Sequence, residues 1–393
     1  MAEESVIVLK IGTSSIILRE VIDVAEGKKK SVTRLNIKQM ADVVEVVYQL
    51  KRKGHKVILI NSGAVGAGCH LLKYETRPSD LSQCQALAAC GQIHLMGKYE
   101  NMFAALNLRC AQVLVTYDTF RVKQENLNAV NTFRALLDMG VTPIVNENDT
   151  IATKEMQSDN DSMAAMISNL VGADYLFLLT DVPGLYTDNP HKNPNAKLIT
   201  RVRDIEQLSD IINVKGRSEW GTGGMSTKLE AAKLATSMGI ETVIMRAANV
   251  SSVADYVISS GRDVLGTTFE RKKCAVAKQR RWIRCLQPGG KIVLDDVGVR
   301  ELHENKGLGD KGIVDCFGDF SSLEPVSLVD EKGKEVAKGI SNLSSDEIRQ
   351  ISESKDDDSV KSETDKTVID QRNLVSFPWK SLNRIEHAIV VSS

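Results

Sequence analysis

Short apolar runs rich in β-branched residues alternate with helical patterns over residues 1–270, and this alternation limits the possible folds more than any other feature. The runs that predict strands lie at 6–9, 57–60, 111–115, 141–145, 175–179 and 242–245. Strands that alternate with helices form a layered domain around a mainly parallel sheet. We therefore expect a layered α/β domain in this part of the chain.

The clearest helix is predicted between the first two strands. Asn36 can cap its start and Gly54 can end it. Apolar residues recur between them at helical spacing, namely Ile37, Met40, Val43, Val44, Val47 and Leu50. This stripe predicts a helix face buried against the sheet. Residues 80–106 and 124–139 predict two further helices, the second ended by Gly140.

Polar or glycine-rich segments follow the predicted strands at the point where each strand ends. Lys10 follows the first, segment 61–68 the second, segment 146–149 the strand at 141–145, and Thr180 with Asp181 the strand at 175–179. In open α/β sheets ligands bind at the carboxyl ends of strands. Each segment alone could be a turn, because Gly, Asn, Asp and Ser favour turns for backbone reasons. Together they predict a binding site at this edge of the sheet.

Residues 219–229 join three glycines, three hydroxyl side chains and a lysine to the start of a predicted helix. Glycines let backbone N–H groups approach an anion closely, and a helix N-terminus favours negative charge. The spacing matches neither the nucleotide-binding P-loop nor the dinucleotide Gly-x-Gly-x-x-Gly motif. The segment therefore predicts another kind of phosphate-binding loop, with a flexible loop before an ordinary helix as the alternative.

Composition narrows the class of protein. The 393 residues are 42% hydrophobic and carry 50 basic and 51 acidic side chains, which predicts a soluble globular protein of two domains. No apolar run approaches the roughly 20 residues that span a bilayer, and the N-terminus fits neither a secretory nor a mitochondrial presequence. We therefore expect a cytoplasmic protein that binds no membrane. The seven cysteines and six histidines show no metal-ligand spacing, which predicts free thiols and no zinc site.

The amino-acid composition of the chain changes after residue 270. Residues 271–284 are strongly basic with no acid, which indicates a domain boundary, and a solvated linker is favoured over an RNA contact because Trp282 is their only aromatic residue. Apolar runs at 291–294 and 325–329 predict strands of a small β-rich module. Within it, residues 352–366 hold six acids and one apolar residue, which predicts a disordered acidic insertion.

A set of motifs runs in order through the first 270 residues: VLKIGTS at 8–14, NSGA at 61–64, VNEND at 145–149, SDND at 158–161, LTD at 179–181, GLYT at 184–187 and GTGGMSTK at 221–228. In these motifs the chain resembles the glutamate 5-kinases of the amino-acid-kinase family. From about residue 280 it resembles, more loosely, the PUA module that many of these kinases carry and that often occurs on RNA-modifying enzymes. The acidic stretch 352–366 departs from the PUA pattern.

The resemblance implies a three-layer α/β/α sandwich that holds an acidic substrate over one half of its sheet and ATP over the other. The implied domains are a catalytic domain at 1–270, a linker at 271–279 and a PUA-like domain at 280–393. The implied activity is ATP-dependent phosphorylation of the side-chain carboxylate of L-glutamate to L-glutamyl 5-phosphate, the first step of proline biosynthesis. The resemblance also implies inhibition by proline, a homo-oligomer and a glutamyl-phosphate reductase as partner.

The same motifs imply site residues by position. The catalytic residues would be Lys10 and Lys228, which contact the transferring phosphate, and Asp161, which organises them. The ATP contacts would be Lys10, Gly12, Thr180, Asp181, Thr222, Gly223, Gly224, Met225, Ser226, Thr227 and Lys228. Glutamate would be held by Ser62, Gly63, Asp149 and Asn160. Mg²⁺ would bind chiefly through ATP oxygens, with no direct protein ligand.

Elementary chemistry agrees with such a site. A glutamate side chain is already ionised at neutral pH, so its phosphorylation needs no general base, only positioned cations and backbone N–H groups. Taken singly, the same residues also fit purely structural roles, since Lys10 could be a surface lysine and segment 159–161 could simply cap a helix over 162–170. Two other functions stay open: an RNA-binding protein that acts through its PUA-like module, and a related carboxylate kinase that acts on aspartate or acetylglutamate.

Overall fold

The computed structural model describes residues 4–24, 28–151, 160–190, 193–205, 208, 224–259, 266–272, 283, 286, 288–304, 307–353, 367–376 and 389–391. The chain forms two compact units. Unit 1 comprises Met1–Thr119, Lys123–Lys273 and Ile385–Ser393, and unit 2 comprises Phe120–Val122 and Cys274–Arg384. The domain boundaries implied by the sequence stay a prediction.

The first 147 residues supply four strands of the central sheet, a separate hairpin and several helices. Its elements are β1 (Val6–Ile11), α1 (Thr13–Ile16), β2 (Ile17–Val24), β3 (Lys28–Leu35), α2 (Ile37–Arg52), β4 (Lys56–Asn61), α3 (Ala64–Leu71), α4 (Leu81–Ala105), β5 (Cys110–Val115), α5 (Asp118–Arg121), α6 (Lys123–Asp138) and β6 (Thr142–Glu147). They are followed by α7 (Asn160–Leu170), β7 (Tyr175–Thr180), β8 (Ile199–Val202), α8 (Met225–Ser237), β9 (Glu241–Arg246), α9 (Val253–Ile258) and β10 (Thr267–Phe269).

Nine strands of the described chain form the sheet of unit 1, including the C-terminal β16 (Ile389–Val391), in the order β16-β8-β10-β9-β7-β1-β4-β6-β5. The six strands from β9 to β5 are parallel to one another. These are the six strands that the sequence predicts, so the predicted mainly parallel sheet is confirmed. Parallel strands need crossover helices and are buried on both faces, which explains why their sequences are almost continuously apolar.

Helices cover both faces of this sheet. Alternate strand residues such as Leu9, Leu59 and Phe177 are buried in one core with α2 and α4, while α7 and α8 contact β1, β7 and β9 and are absent from that core. The predicted three-layer α/β/α sandwich is confirmed. Because the six strands are parallel, their carboxyl ends lie along the same edge of the sheet, between the two helix layers. The polar residues at these strand ends therefore lie along that edge.

The predicted helices are confirmed, with one correction. Asn36 caps α2 and accepts a hydrogen bond from Gln39 N at 3.2 Å. Five of the six predicted stripe residues are buried, but Ile37 is 43% exposed because it is the first residue of α2, one turn before Met40, the first buried apolar residue of this helix. Asp80 caps α4, and Gly54 and Gly140 follow α2 and α6 with positive φ.

Three parts of the fold are not anticipated from the sequence. The hairpin of β2 and β3 pairs residues 17–24 with 28–35, and its three consecutive lysines give no strand signal. The short strands β8 and β10 extend the sheet beyond β9. Strand β16 pairs antiparallel with β8, so residues 389–391 form one margin of the sheet.

Unit 2 contains a second, smaller sheet. Its elements are β11 (Gly290–Leu294), α10 (Asp296–His303), β12 (Ile313–Gly318), β13 (Pro325–Asp330), β14 (Glu335–Ile340), α11 (Ser345–Glu353) and β15 (Leu374–Ser376), with strand order β12-β11-β13-β14-β15. The strands predicted at 291–294 and 325–329 are confirmed as β11 and β13. Of the predicted acidic insertion, Ser352 and Glu353 end α11 and the remainder lies outside the described residues, as does most of the basic stretch 271–284.

None of the helices in the described ranges combines the length and the apolar character needed to cross a bilayer. Five of the seven cysteines lie in described ranges, and all five are free thiols.

Candidate active site

The site is built around Lys10, which lies near the carboxyl end of β1 between β4 and β7. Its side chain is 6% exposed, so it is not a surface lysine. Gly12 follows at the start of α1, and a Cβ at that position would lie 3.7 Å from Lys10 Nζ. The glycine therefore keeps the space beside the amine open.

Asp161 joins Lys10 to Lys228. Its Oδ1 lies 2.5 Å from Lys10 Nζ and its Oδ2 lies 2.9 Å from Lys228 Nζ. The Asp161 side chain is 1% exposed and the Lys228 side chain 11%. One strand and two helices, β1, α7 and α8, thus bring three charged side chains to one buried point. We call Lys10, Asp161 and Lys228 the charged triad.

The charged triad has one more positive than negative charge. Burial raises the pKa of Asp161, but the charges and hydrogen bonds of Lys10 and Lys228 outweigh burial and hold that pKa below its usual value. Asp161 is therefore ionised at neutral pH, and a net charge of about +1 remains in a site of low dielectric. Such a site attracts an anion.

The first turn of α8 carries Lys228 into the triad. Gly224 precedes the helix in an extended conformation, and Met225, Ser226 and Thr227 form the turn with Lys228. Thr227 Oγ1 donates to Gly224 O at 2.8 Å and lies 3.3 Å from Asp161 Oδ2. The free N–H groups of this helix start point the same way as its positive dipole end, which favours an anion there. Thr222 and Gly223, predicted for the same loop, lie outside the described residues.

Asn160, the first residue of α7, connects the charged triad to the loop after β4. Its Nδ2 donates to Ser62 Oγ at 2.5 Å, and its Oδ1 is buried with no hydrogen-bond partner among the described residues. Ser62 is buried, and Gly63 follows in the left-handed conformation at φ +94° as α3 begins. A buried acceptor without a partner is costly unless a ligand satisfies it.

Asp149 lies in the loop after β6 and lines a cavity of about 310 Å³. Apolar and amide side chains of α4 form the opposite wall, among them Gln92 and Met96. Burial raises the pKa of the Asp149 carboxyl, and the positive charge of Arg77 offsets part of this effect. A half-buried carboxylate that lines such a cavity is suited to a cationic group of a ligand.

Thr180 and Asp181 end β7, the neighbour of β1. Thr180 is buried and its Oγ1 donates to Asp181 Oδ1 at 3.0 Å, while Asp181 is exposed. No three His, Cys, Asp or Glu side chains of the described ranges converge as metal ligands.

The structure thus brings Lys10, Asp161, Thr227 and Lys228 into direct contact and Ser62 into contact with Asn160. The other described candidates lie at neighbouring strand ends or at the start of α8. Two buried asparagines, Asn61 and Asn146, lie in the polar segments predicted from the sequence but have no role among the predicted site residues, and each is 2% exposed. A signal for them exists, since an asparagine at the end of an apolar strand must find a buried partner.

Comparison with known proteins agrees with this architecture. The profile of the amino acid kinase family matches residues 5–246, and that of the PUA domain matches residues 290–361. A glutamate 5-kinase of Synechococcus elongatus is 40% identical over 94% of this chain and 98% of its own length. A second, from Thermosynechococcus vestitus, is 42% identical over 88% of this chain and 91% of its own length.

A solved carbamate kinase from Giardia lamblia bound to AMP-PNP is 15% identical, with a TM-score of 0.48 over 69% of this chain and 100% of its own, a likeness too remote to support any conclusion. The sequence identity to the two cyanobacterial enzymes, 40% and 42%, is far higher. It extends through both matched regions of the chain, and with the family profile that covers the charged triad it shows that this chain is an enzyme of the glutamate 5-kinase family.

Proposed function

We propose that the protein transfers the γ-phosphoryl group of ATP to the side-chain carboxylate of L-glutamate, giving L-glutamyl 5-phosphate and ADP. The observation that carries this proposal is the charged triad, in which one buried carboxylate contacts one lysine from β1 and one from α8. Phosphoryl transfer between two anions requires positioned positive charge more than acid–base groups.

Each lysine of the triad keeps hydrogen-bonding capacity for the phosphate. An ammonium group has three N–H donors, and Asp161 takes one from each lysine. The remaining donors can bind oxygens of the transferring group from two sides. Asp161 fixes the two ammonium groups and does not act as a base, because its pKa is lowered and both of its oxygens face a lysine.

The acidic substrate would lie over the half of the sheet that contains β4 and β6. Its reacting carboxylate is ionised at neutral pH, so it attacks phosphorus without losing a proton. Asp149 would bind the substrate ammonium group, with the unpartnered Oδ1 of Asn160 as a second acceptor. Ser62 orients Asn160, and Gly63 leaves its N–H accessible at the start of α3.

ATP would lie over the other half, with its phosphates at the start of α8. Thr180, Asp181 and the segment from Gly224 to Lys228 line this side, and Gly12 keeps space beside Lys10. The family motif adds Thr222 and Gly223. Mg²⁺ would enter with ATP and bind chiefly through ATP oxygens, with no direct protein ligand, since Asp161 is committed to the lysines.

The family supports a wider role that we propose with the reaction: the first step of proline biosynthesis, in the cytoplasm, by a homo-oligomer that proline inhibits. The product is an acyl phosphate whose own amine can attack the activated carbonyl and close a five-membered ring. A glutamyl-phosphate reductase that receives it directly would limit this loss. The absence of any association with, or kinetic benefit from, such a reductase would contradict that part of the proposal.

The reaction is tested by ATP turnover with Mg²⁺ and hydroxylamine, which traps an acyl phosphate as its hydroxamate. We expect hydroxamate with glutamate and not with aspartate or acetylglutamate, and less of it when proline is added. Hydroxamate with another acid would assign a related carboxylate kinase. No hydroxamate, with salt-dependent RNA binding, would favour the RNA-binding alternative through the PUA region.

A single substitution tests the role of the charged triad in the hydroxamate assay. Lys228→Ala should lower turnover by about two to three orders of magnitude, because it removes a preorganised charge from the transferring phosphate. A folded variant with near-normal turnover would remove Lys228 from the mechanism.

A further inference from the structure

Two buried asparagines, Asn61 at the end of β4 and Asn146 one residue before the end of β6, contact the same helix, α4. The register pairs Leu59 with Ile144 and Ile60 with Val145, so Asn61 and Asn146 occupy the next equivalent position of β4 and β6. Side chains at equivalent positions of neighbouring strands lie on the same face of a sheet. We call these two residues the asparagine pair.

Helix α4 supplies a partner to each member of the pair. Tyr99 Oη donates to Asn61 Oδ1 at 3.0 Å, and Asn146 Nδ2 donates to Gln92 Oε1 at 2.9 Å. Gln92 and Tyr99 are seven residues apart, about two helical turns, which places them on one side of α4. Asn146 Oδ1 also accepts from Glu147 N at 2.9 Å, so its amide is held at both ends.

Helix α4 is itself fixed against the loop that it supports. A Cβ at Gly91 would lie 1.8 Å from Ala64 O, and a Cβ at Gly68 would lie 2.0 Å from Leu87 O, so α3 and α4 cross with their backbones in contact. Ala64 opens α3 directly after Ser62 and Gly63. Backbone contact leaves no room for α4 to shift without moving these residues.

The residues that follow the asparagine pair are those assigned above to the acidic substrate. Ser62 follows Asn61 and receives the hydrogen bond of Asn160, while Asp149 lies three residues after Asn146. We infer that Tyr99 and Gln92 are positioning residues that set the distance between the Ser62 loop and Asp149, and so determine affinity for the acidic substrate. This inference rests on the proposed function, because it assumes that those loops bind glutamate.

The structure offers a matched control for the Tyr99 hydroxyl. Tyr256 of α9 is also fully buried, and its Oη donates to Glu241 Oε1 at 2.9 Å. Glu241 is the first residue of β9, so this bond lies at the amino end of the strand, away from the charged triad. Tyr99→Phe and Tyr256→Phe each remove one buried hydroxyl and keep the ring.

The test is the Michaelis constant for each substrate in the hydroxamate assay. We expect Tyr99→Phe to raise KM for glutamate about tenfold, because misplacement of a binding loop by a fraction of an ångström has effects of this size. KM for ATP should stay within about twofold, and Tyr256→Phe should leave both constants within about twofold of the wild type. Equal kinetics in the two variants, or equal effects on both substrates in Tyr99→Phe, would overturn the inference.

A double-mutant cycle locates the effect. If the hydroxyl acts through Asn61, Tyr99→Phe should not raise KM for glutamate further in an Asn61→Ala background, whereas additive effects would contradict the proposed route. Should Tyr99→Phe not fold, Gln92→Met tests the second contact and should show the same preference for the glutamate constant. Wild-type protein that makes no glutamyl hydroxamate would refute the proposed function itself, which is a different result.

Discussion

The two ends of the parallel sheet in unit 1 carry the same kinds of charged contact in opposite arrangements. At the amino end, Lys56 of β4 lies between two carboxylates, with its Nζ 3.1 Å from both Glu4 Oε1 and Asp138 Oδ1. At the carboxyl end, Asp161 lies between two lysines. Lys56 is 31% exposed and each of its partners 59%, whereas Asp161 is 1% exposed.

This difference in burial indicates different roles for the two contacts: the exposed one at Lys56 is an ordinary surface ion pair, and the buried one at Asp161 is suited to binding a ligand. Exposed ion pairs contribute about 0–1 kcal/mol, because water already solvates the charges. Burying three charges is unfavourable in itself, and replacing buried ion pairs by apolar residues often stabilises a protein. The charged triad is therefore poorly explained by stability and well explained by a ligand that needs its excess positive charge.

Glycines at the two ends of the sheet also differ in whether their surroundings leave room for a side chain. At the amino end Gly140 has φ +71°, and a Cβ at that position would meet no atom within 4 Å, so this glycine serves only to turn the chain. At the carboxyl end Gly91 lies in a regular helix and serves to admit the backbone of α3. Turning glycines tolerate change better than glycines that hold two backbones together.

The largest contrast is expected from matched charge removals. Asp161→Asn should lower turnover about a thousandfold and the free energy of unfolding by about 3–5 kcal/mol, because it leaves two buried lysines without their carboxylate. Lys56→Met should change the free energy of unfolding by less than about 1 kcal/mol and leave turnover unchanged. Urea denaturation and the hydroxamate assay measure both effects, and similar losses in the two variants would break the comparison.

Two alanine substitutions in α4 give the next largest difference. Gly91→Ala should destabilise the protein by about 3 kcal/mol, because its methyl group would overlap Ala64 O. Gly97→Ala, on the same helix, meets no atom within 4 Å and should stabilise by about 0.5–1 kcal/mol through helix propensity. Thermal unfolding of the two variants shows whether each substitution raises or lowers stability. Destabilisation by both would show that α4 tolerates an added methyl group at neither position.

A smaller effect is expected from Asp149 and pH. Since burial raises the pKa of Asp149, the carboxylate needed for a substrate ammonium group takes up a proton at higher pH than an ordinary aspartate. KM for glutamate should therefore rise as the pH falls through this pKa. In Asp149→Asn that acidic limb should disappear and KM should be high at every pH; an unchanged profile would remove Asp149 from the site.

The smallest effect concerns His55 at the amino end. Burial lowers its pKa, and the nearby carboxylates of Glu4 and Asp174 offset this only in part. Between the lowered pKa of folded His55 and about pH 6.5, the unfolded chain binds more protons than the folded one, so acidification through this window lowers the free energy of unfolding. His55→Gln should flatten this slope and leave KM for glutamate unchanged, and an altered KM would show that the amino end also affects binding.

Much of this fold is predictable because its signals are local. Each of the six parallel strands is a nearly continuous apolar run, and Asn36 and Gly54 mark the ends of α2 with their ordinary cap chemistry. The strand-end positions of Lys10, Ser62, Asp149 and Thr180 follow from the same pattern. The charged contact between Lys10, Asp161 and Lys228 does not follow from this local pattern, because these residues come from separate elements and meet only when the layers pack. Only the resemblance to the family implies it.

The remaining elements lack such local signals. The hairpin of β2 and β3 contains several charged residues and no continuous apolar run that would predict its strands. Strand β10 has three described residues and β8 four, too few for a periodic pattern. Tyr99 reads in sequence as one more apolar residue of α4, and only its distance to Asn61 reveals a polar contact.

The pairing of β16 with β8 has a consequence for synthesis of the chain. Thr200 Oγ1 donates to Val390 O across 190 residues of sequence, and most of unit 2 is translated between the two strands. While the ribosome makes those residues, the outer margin of β8 has no partner, and an open strand margin invites pairing with other chains. Residues 389–391 thus add a strand to a unit whose other strands leave the ribosome much earlier, and contacts of such long range form late in folding.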